Sequence, residues 1–197
     1  GPYADLPLST TAHWDVPVTT PAHGVLRVLA FYASPPVFDG PEDRNGRRNH
    51  DETALWRAWL DGVVPGDPPE RGFVIAGDAN LDVADGDGRP GALNGLLADP
   101  RLQDPMPASR GGVAAAAQGG ANDAHRGDPA LDTADWRDAG PNDPGNLRVE
   151  YVLPSADWQV EDTGVFWPAP GDPLAHLLGE ADAATRHRLV WVDIDRR

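Results

Sequence analysis

An aspartate and an asparagine that follow an apolar run are the first residues of this sequence that could do chemistry. Residues 72–76 read G-F-V-I-A and predict a short buried strand, so Asp78 and Asn80 are expected at its C-terminal end. A carboxylate at such a position can activate water, and an amide can orient a substrate oxygen. Taken alone, this pair more often forms only a polar turn after a strand.

Three further side chains could join them. His187 lies between two arginines, Glu150 lies in the alternating stretch R-V-E-Y-V-L, and Tyr32 ends the apolar run V-L-R-V-L-A-F-Y. A carboxylate beside the imidazole would raise its pKa and fix its tautomer, and the phenol could donate a hydrogen bond. Each also has an ordinary interpretation, because His187 could be a surface histidine and Tyr32 an aromatic residue at the edge of the core.

Donor side chains also cluster before a predicted helix, at Arg44, Asn45, Arg48, Asn49 and His50. They indicate either contacts to a phosphate, with Asn49 as a substrate ligand, or a buried network that pins a loop to the site. The sequence favours the network.

The composition limits the chemistry and the partners. The 197 residues include no cysteine, which excludes thiol nucleophiles and thiolate metal sites. The formal charge of -15 repels a nucleic-acid backbone, so a small phosphorylated substrate is favoured over duplex nucleic acid. No apolar run approaches the roughly 20 residues of a membrane span, so a soluble chain without a membrane partner is expected.

The elements that must position these residues alternate between strands and helices, which predicts a layered α/β domain. Strands are predicted at 25–32, 72–76, 148–153 and 189–194, and the first is expected to be central and buried. Helices are predicted to begin at Asn49, acting as N-cap, at Pro90 and at Asp172. Residues 104–146, mostly Gly, Pro, Ala and Asp, are predicted to form one long loop.

Four motifs together resemble the endonuclease/exonuclease/phosphatase superfamily. They are S-P-P-V-F-D-G-P-E-D-R-N-G-R-R-N-H-D-E at 34–52, G-D-A-N-L-D at 77–82, R-V-E-Y-V-L-P-S at 148–155 and R-H-R-L-V-W-V-D at 186–193. The similarity covers about residues 6–193 and is closest to bacterial, often exported members with a segment like H-W-D-V-P at 13–17. It implies a four-layer α/β/β/α sandwich, of which only the C-terminal half is evident.

The resemblance also implies roles for the candidate residues. Asp78 and Asn80 match the family's D-x-N pair, in which the aspartate positions or activates water and the asparagine orients a phosphate oxygen. His187 matches the histidine of a final S-D-H motif, and Glu150 falls where the family places its partner aspartate. Tyr32 matches a histidine or tyrosine that contacts the scissile phosphate.

Two departures from the family pattern concern the residues that hold its metal ion. The family's early Asn and Glu, which hold a divalent ion, have no counterpart in this sequence, and Arg186 stands where an aspartate lies close to that ion. By resemblance the cofactor is Mg²⁺ or Mn²⁺, with Asp78 as one possible ligand. Arg186 could instead bind a phosphate directly with its bidentate fork.

Two hypotheses for function follow. The first is a metal-dependent phosphoesterase that hydrolyses a phosphate mono- or diester. The second is a truncated or degenerate, non-catalytic domain that binds a complementing N-terminal half or another copy of itself. Gly1 and Pro2 are typical of the remnant left by proteolytic removal of an expression tag, so the domain is expected to span residues 3–197.

Overall fold

A four-stranded mixed sheet lies at the centre of the computed structural model, which describes residues 7–9, 11–140, 142–179 and 185–196. Its strands, in spatial order, are β1 (His13–Thr20), β2 (Gly24–Tyr32), β3 (Phe73–Asp78) and β6 (Glu150–Pro154). The β2–β3 pair is parallel, and the two outer pairs are antiparallel. Gly1 and Pro2, interpreted as a cleavage remnant, lie outside the described residues.

Uninterrupted apolar runs explain the two central strands. β2 and β3 cover the strands predicted at 25–32 and 72–76, and β3 continues for two residues to Asp78. Leu29 and Ile75 are neighbours in the parallel register, and both are completely buried. β3 therefore ends with Asp78, as the sequence predicted.

Two helices cover one face of this sheet. α1 (Arg44–Leu60) and α2 (Gly91–Leu97) pack on the strands, and α2 follows Pro90 as predicted. The main core combines the buried strand residues Leu29, Phe31, Phe73, Ile75, Tyr151 and Leu153 with the buried helix residues Trp56, Leu93 and Leu96. Burying a large apolar side chain of this kind contributes about 1.5–3 kcal/mol, so this layer supplies much of the stability.

The start of α1 corrects the sequence prediction. Asn49 was expected to be the N-cap, but it lies within α1, and Asp43 occupies the N-cap position. The helix extends upstream because the N–H of Asn45 donates to the carboxylate of Asp39, and the N–H of Arg47 donates to the carbonyl of Asp43 over 3.1 Å. The first contact satisfies a first-turn N–H that has no partner within the helix, and the second is the first i→i−4 hydrogen bond of the helix.

The segment 104–146, predicted to be one long loop, contains regular structure. It includes α3 (Arg110–Ala116), two 3₁₀ helices (Gly120–Ala124 and Pro129–Leu131), β4 (Ala134–Asp135) and β5 (Asn146–Leu147). Ser109 caps α3 by accepting a hydrogen bond from the N–H of Gly112 over 3.0 Å. Gly111 packs so closely on Trp167 that a Cβ would lie 2.2 Å from its carbonyl oxygen, so the glycines that argued against a helix serve its packing.

A second sheet forms from the C-terminal part of the chain. β7 (Trp158–Phe166), which the sequence did not predict, pairs antiparallel with β8 (Leu189–Arg196), and β8 lies against β6. Between them, the helix expected from Asp172 is only a short 3₁₀ helix, Ala175–Leu178. Helices, a central sheet and a second sheet together give the α/β architecture that the sequence predicted.

One face of β1 remains open. Trp14, Val16 and Val18 alternate along the strand and therefore point to the same side. Their exposed fractions are 64%, 41% and 41%. We call these three side chains the open strip. Among the described residues, no helix is long and apolar enough to cross a membrane.

Asp132 is buried beside other carboxylates. Only 8% of this residue is exposed. Burial first, and then the charges of Asp82, Asp85 and Asp128, raise its pKa to about 8. An aspartate in an unfolded chain has a pKa of about 3.9, so the folded state holds this proton more tightly than the unfolded state.

Asp132→Asn is expected to flatten the pH dependence of stability. As the pH rises from about 4 to about 8, the unfolded chain gives up the Asp132 proton and the folded chain keeps it. The wild-type free energy of unfolding should therefore fall, by up to about 1.4 kcal/mol per pH unit. Urea unfolding in steps across this range measures the slope, with the exposed Asp193→Asn as control. A slope that Asp132→Asn leaves intact would contradict this assignment.

Candidate active site

Three side chains meet at one end of the central sheet. Tyr32, the last residue of β2, is in register with Asp78, and Asp78 is in register with Glu150. Residues directly opposite one another on neighbouring strands point to the same face. The phenol and the two carboxylates therefore lie side by side on one face of the sheet.

His187 reaches this end of the sheet because the residues on either side of it pair with β4. The N–H of Asp135 donates to the carbonyl of Arg186 over 3.0 Å, and the N–H of Arg188 donates to the carbonyl of Thr133 over 2.7 Å. An isolated antiparallel bridge joins His187 itself to β4. The segment that the sequence predicted to be a loop thus positions the histidine.

The imidazole of His187 contacts both carboxylates. Its Nδ1 is hydrogen-bonded to Oε1 of Glu150 and lies 3.8 Å from Oδ2 of Asp78. One oxygen from each acid and one ring nitrogen all lie within 4.8 Å of one another. The structure therefore brings together three of the residues that the sequence singled out.

Burial and mutual charge shift the pKa values in this cluster. Burial first, and then the neighbouring Glu150, raise the pKa of Asp78 to about 7, although the Asn80 N–H and His187 act in the opposite direction. The hydrogen bond that the His187 ring donates to the Glu150 carboxylate is the main cause that raises the pKa of His187. Because Asp78 and His187 each act on the charge of the other, the loss of a proton from one changes the pKa of the other.

Asn80 holds the Asp78 carboxylate in place. Its φ of 48° lies in the left-handed region, which asparagine tolerates better than most residues. Its backbone N–H donates to Oδ1 of Asp78 over 2.7 Å, and its Nδ2 donates to Oδ2 over 3.0 Å. Nδ2 also donates to the carbonyl of Ala33 over 2.9 Å, which ties this turn to the end of β2.

A cavity of about 810 Å³ opens beside the cluster. Tyr32, Asn80 and His187 line it, and Tyr32 is 43% exposed. Trp136 forms another part of the wall and meets the His187 ring edge-on, with the ring centroids 5.4 Å apart. The sequence analysis missed Trp136, for which the one available signal was a large aromatic residue within a Gly- and Ala-rich segment.

Comparison with family models assigns nearly the whole chain to one protein family. The model described as the endonuclease/exonuclease/phosphatase family matches residues 4–187. The chain belongs to this family. The matched span contains all the residues of the cluster and its cavity wall described above. No curated protein matches the chain.

Two solved structures resemble the chain. One is an endonuclease/exonuclease/phosphatase from Beutenbergia cavernae DSM 12333, with a TM-score of 0.54 and 20% identity, and the match covers 94% of this chain and 39% of that one. The other is sphingomyelinase C from Streptomyces griseocarneus, with a TM-score of 0.39 and 15% identity, covering 91% and 52%. The chain thus spans 39% and 52% of the lengths of these two structures. The likeness to the first structure supports the fold expected for the family.

Asn49, expected to be a substrate ligand, forms a buried cross-link in the structure, and its contact with a substrate stays a prediction. It is fully buried and is not part of the cavity wall. Its Nδ2 donates to the carbonyls of Ser34 and Ala79, over 2.9 Å and 2.7 Å. These carbonyls follow β2 and β3, so Asn49 fixes the two loops that leave the site. Of the two sequence interpretations, the pinning network describes this residue.

Arg186 is not brought together with the cluster. It lines a second cavity, of about 410 Å³, and its Nη1 donates to the carbonyl of Asp135 over 3.4 Å. Successive residues of an extended segment point to opposite sides, and His187 already points towards Asp78. The expected contact between Arg186 and a phosphate stays a prediction.

The donor set of the cluster fits a divalent cation of the kind that the family implies. Oε2 of Glu150 is buried and has no hydrogen-bond partner among the described residues. A buried carboxylate oxygen beside a second carboxylate is electrostatically unfavourable, and a cation would relieve it. Carboxylate oxygens are also the ligands that Mg²⁺ and Mn²⁺ prefer. Asp78 and Glu150 are therefore the residues that could hold such an ion.

Asn49→Ala is expected to lower the free energy of unfolding by about 1–3 kcal/mol, because the buried hydrogen bond to Ala79 and the partly buried one to Ser34 are lost. The matched control is His50→Ala, because His50 is the next residue of the same helix and its side chain is 40% exposed. Urea unfolding of both variants measures the effect. An Asn49→Ala variant with wild-type stability and a weakened affinity for phosphate esters would instead make Asn49 a substrate ligand.

Proposed function

We propose that the chain hydrolyses a phosphate monoester or diester with the help of a divalent metal. The proposal rests on the convergence of Asp78, Glu150 and His187 beside a cavity of about 810 Å³. Membership of the endonuclease/exonuclease/phosphatase family supports the same class of reaction. Acids, an imidazole and a ligand-sized cavity are the parts that such a hydrolysis needs.

Asp78 is the proposed base. In the reaction the oxygen of water bonds to phosphorus while the P–O bond of the ester breaks, and the carboxylate of Asp78 takes a proton from that water. Without a bound ion the pKa of Asp78 is raised to about 7. An ion held by this carboxylate would lower that pKa and keep Asp78 ionised, which is the form that accepts a proton. The two hydrogen bonds from Asn80 fix the direction of this carboxylate.

His187 is proposed to act on the leaving group. Glu150 engages its Nδ1, which makes Nε2 the ring nitrogen available to a ligand. The raised pKa keeps the imidazole protonated at higher pH, so it can donate a proton to the departing oxygen or stabilise negative charge on the phosphate. Glu150 in this scheme is a positioning residue for the ring and supports its positive charge.

Tyr32 and Asn80 complete the proposed phosphate site. Tyr32 is in register with Asp78 and exposes its side chain to the cavity, so its hydroxyl is placed to donate to a phosphate oxygen. Asn80 lines the same cavity, although its Nδ2 is already shared between Asp78 and Ala33. Its proposed role is therefore mainly to hold Asp78.

Mg²⁺ or Mn²⁺ is the proposed cofactor, held by Asp78 and Glu150. When bound, such an ion would polarise the phosphate and neutralise charge on its oxygens. A small ester suits this site better than duplex nucleic acid, because the net charge of -15 opposes the approach of a polyanion.

His187→Ala is expected to lower kcat/KM for bis(p-nitrophenyl) phosphate or p-nitrophenyl phosphate at least ~100-fold, the usual contribution of a general acid or base. Glu150→Gln should also lower it, because the ring loses its charged partner. Release of p-nitrophenol with and without added Mg²⁺ or Mn²⁺, and after treatment with EDTA, measures both effects. His176→Ala, an exposed histidine outside both cavities, is the control. Hydrolysis that survives in His187→Ala would overturn this mechanism.

The open strip favours a second candidate function, that of an assembly domain. Trp14, Val16 and Val18 expose apolar surface on a strand at the edge of the sheet. Such a surface is favourable to cover, and the proposed occupant is the same strip of a second copy. This alternative is compatible with a chain that has no turnover.

Self-association through the open strip should strengthen with salt, because screening weakens the repulsion between two chains that each carry a charge of -15. Sedimentation velocity at low and high ionic strength measures it. Trp14→Thr is expected to keep the chain monomeric at both. The control is Val63→Ala, which alters an exposed apolar side chain elsewhere. A wild-type chain that stays monomeric at high salt and high concentration would exclude this role.

A further inference from the structure

Phe38 is exposed to an unusual degree for a large apolar residue. It is 93% exposed, the highest value among the large apolar side chains that the structure describes. Single apolar residues on a surface are common and need no explanation by themselves. Phe38 combines this exposure with a left-handed backbone conformation and a place beside the cavity.

The backbone of Phe38 is held in an unfavourable conformation. Its φ is 67°, in the left-handed region, where a side chain with a Cβ is disfavoured. The fold gains no buried contact from presenting the ring in this way. Such strained residues concentrate at sites that bind ligands.

A single residue of α1 fixes both neighbours of Phe38. The Nδ2 of Asn45 donates to the carbonyl of Val37 over 2.7 Å, and the backbone N–H of Asn45 donates to the carboxylate of Asp39. The preceding Pro35 and Pro36 further restrict the chain. The exposed ring is therefore carried by a loop that these hydrogen bonds hold in place, which we call the pinned loop.

Phe38 belongs to the cavity beside the candidate active site. It lines the same space of about 810 Å³ as Tyr32, Trp136 and His187. Asp85 and Asp87 also line this space, which disfavours a ligand with additional phosphates. The arrangement suits a ligand that carries one phosphate group and an uncharged, flat ring.

We propose that Phe38 is a specificity-determining residue that stacks on a planar ring in the alcohol portion of the ester, such as a nucleobase. This inference rests on the proposed phosphoesterase function and names its substrate class. Stacking of a ring on an exposed aromatic side chain tolerates many ring types, because every planar base has a face that can stack. The pinned loop lowers the entropy cost, since Phe38 is ordered before the ligand arrives.

Equilibrium binding of adenosine 5′-monophosphate and of ribose 5-phosphate to the full chain tests the inference. The two probes share the phosphate and the sugar and differ in the base. The wild type should bind the nucleotide about 10-fold more tightly, the effect of one stacked base. Phe38→Ala should remove this difference and leave the affinity for ribose 5-phosphate unchanged. Phe38→Tyr should retain it, and Val63→Ala, at another exposed apolar position, should not alter it.

The outcomes separate this inference from the proposed function. A preference for the nucleotide that depends on Phe38, in a chain without hydrolytic activity, supports the ring site and refutes the phosphoesterase. Hydrolysis of p-nitrophenyl phosphate with equal binding of both probes refutes the ring site alone. Loss of binding to phosphatidylcholine vesicles in Phe38→Ala, with the nucleotide preference intact, would make Phe38 a lipid contact and would overturn the inference.

Discussion

The imidazole of His187 lies against two carboxylates on neighbouring strands, and the arrangement of the site depends on this contact. Asp78 and Glu150 are partly buried side by side, which disfavours two negative charges. The hydrogen bond between His187 and Glu150 offsets part of that cost. Three distant parts of the chain, β3, β6 and the segment before β8, must therefore be placed correctly for the cluster to exist.

Buried polar groups provide much of this placement. Thr133 is fully buried, and its hydroxyl accepts hydrogen bonds from the N–H groups of Val149 and Glu150, over 2.9 Å and 3.1 Å. Its carbonyl accepts the N–H of Arg188 over 2.7 Å. One threonine thus links the strand that carries Glu150 to the segment that carries His187. Asn49 does the same for the loops after β2 and β3, so polar cross-links define the site while the apolar core lies beneath the sheet.

Two of the exposed apolar features differ in physical character. The open strip is a row of side chains on a regular strand, a surface suited to another polypeptide. Phe38 is a single ring on a pinned, strained loop, a feature suited to a small ligand. The net charge of -15 favours neutral or singly charged partners over polyanions at either feature.

The sequence by itself determined the central strands and the identity of the acid and imidazole groups. The apolar runs that form β2 and β3 have few alternatives to a buried strand. Asp78 and Asn80 follow the second run so closely in the sequence that they must lie at the end of β3 or just after it. The tertiary structure alone decided that the Gly- and Ala-rich segment forms α3 and β4, because their partners are distant in the sequence. The start of α1 was likewise set by contacts with Asp39, which lies outside the helical pattern. Pairing with β4 decided that His187, and not Arg186, faces Asp78, since the register of an extended segment selects which side chains point to which side.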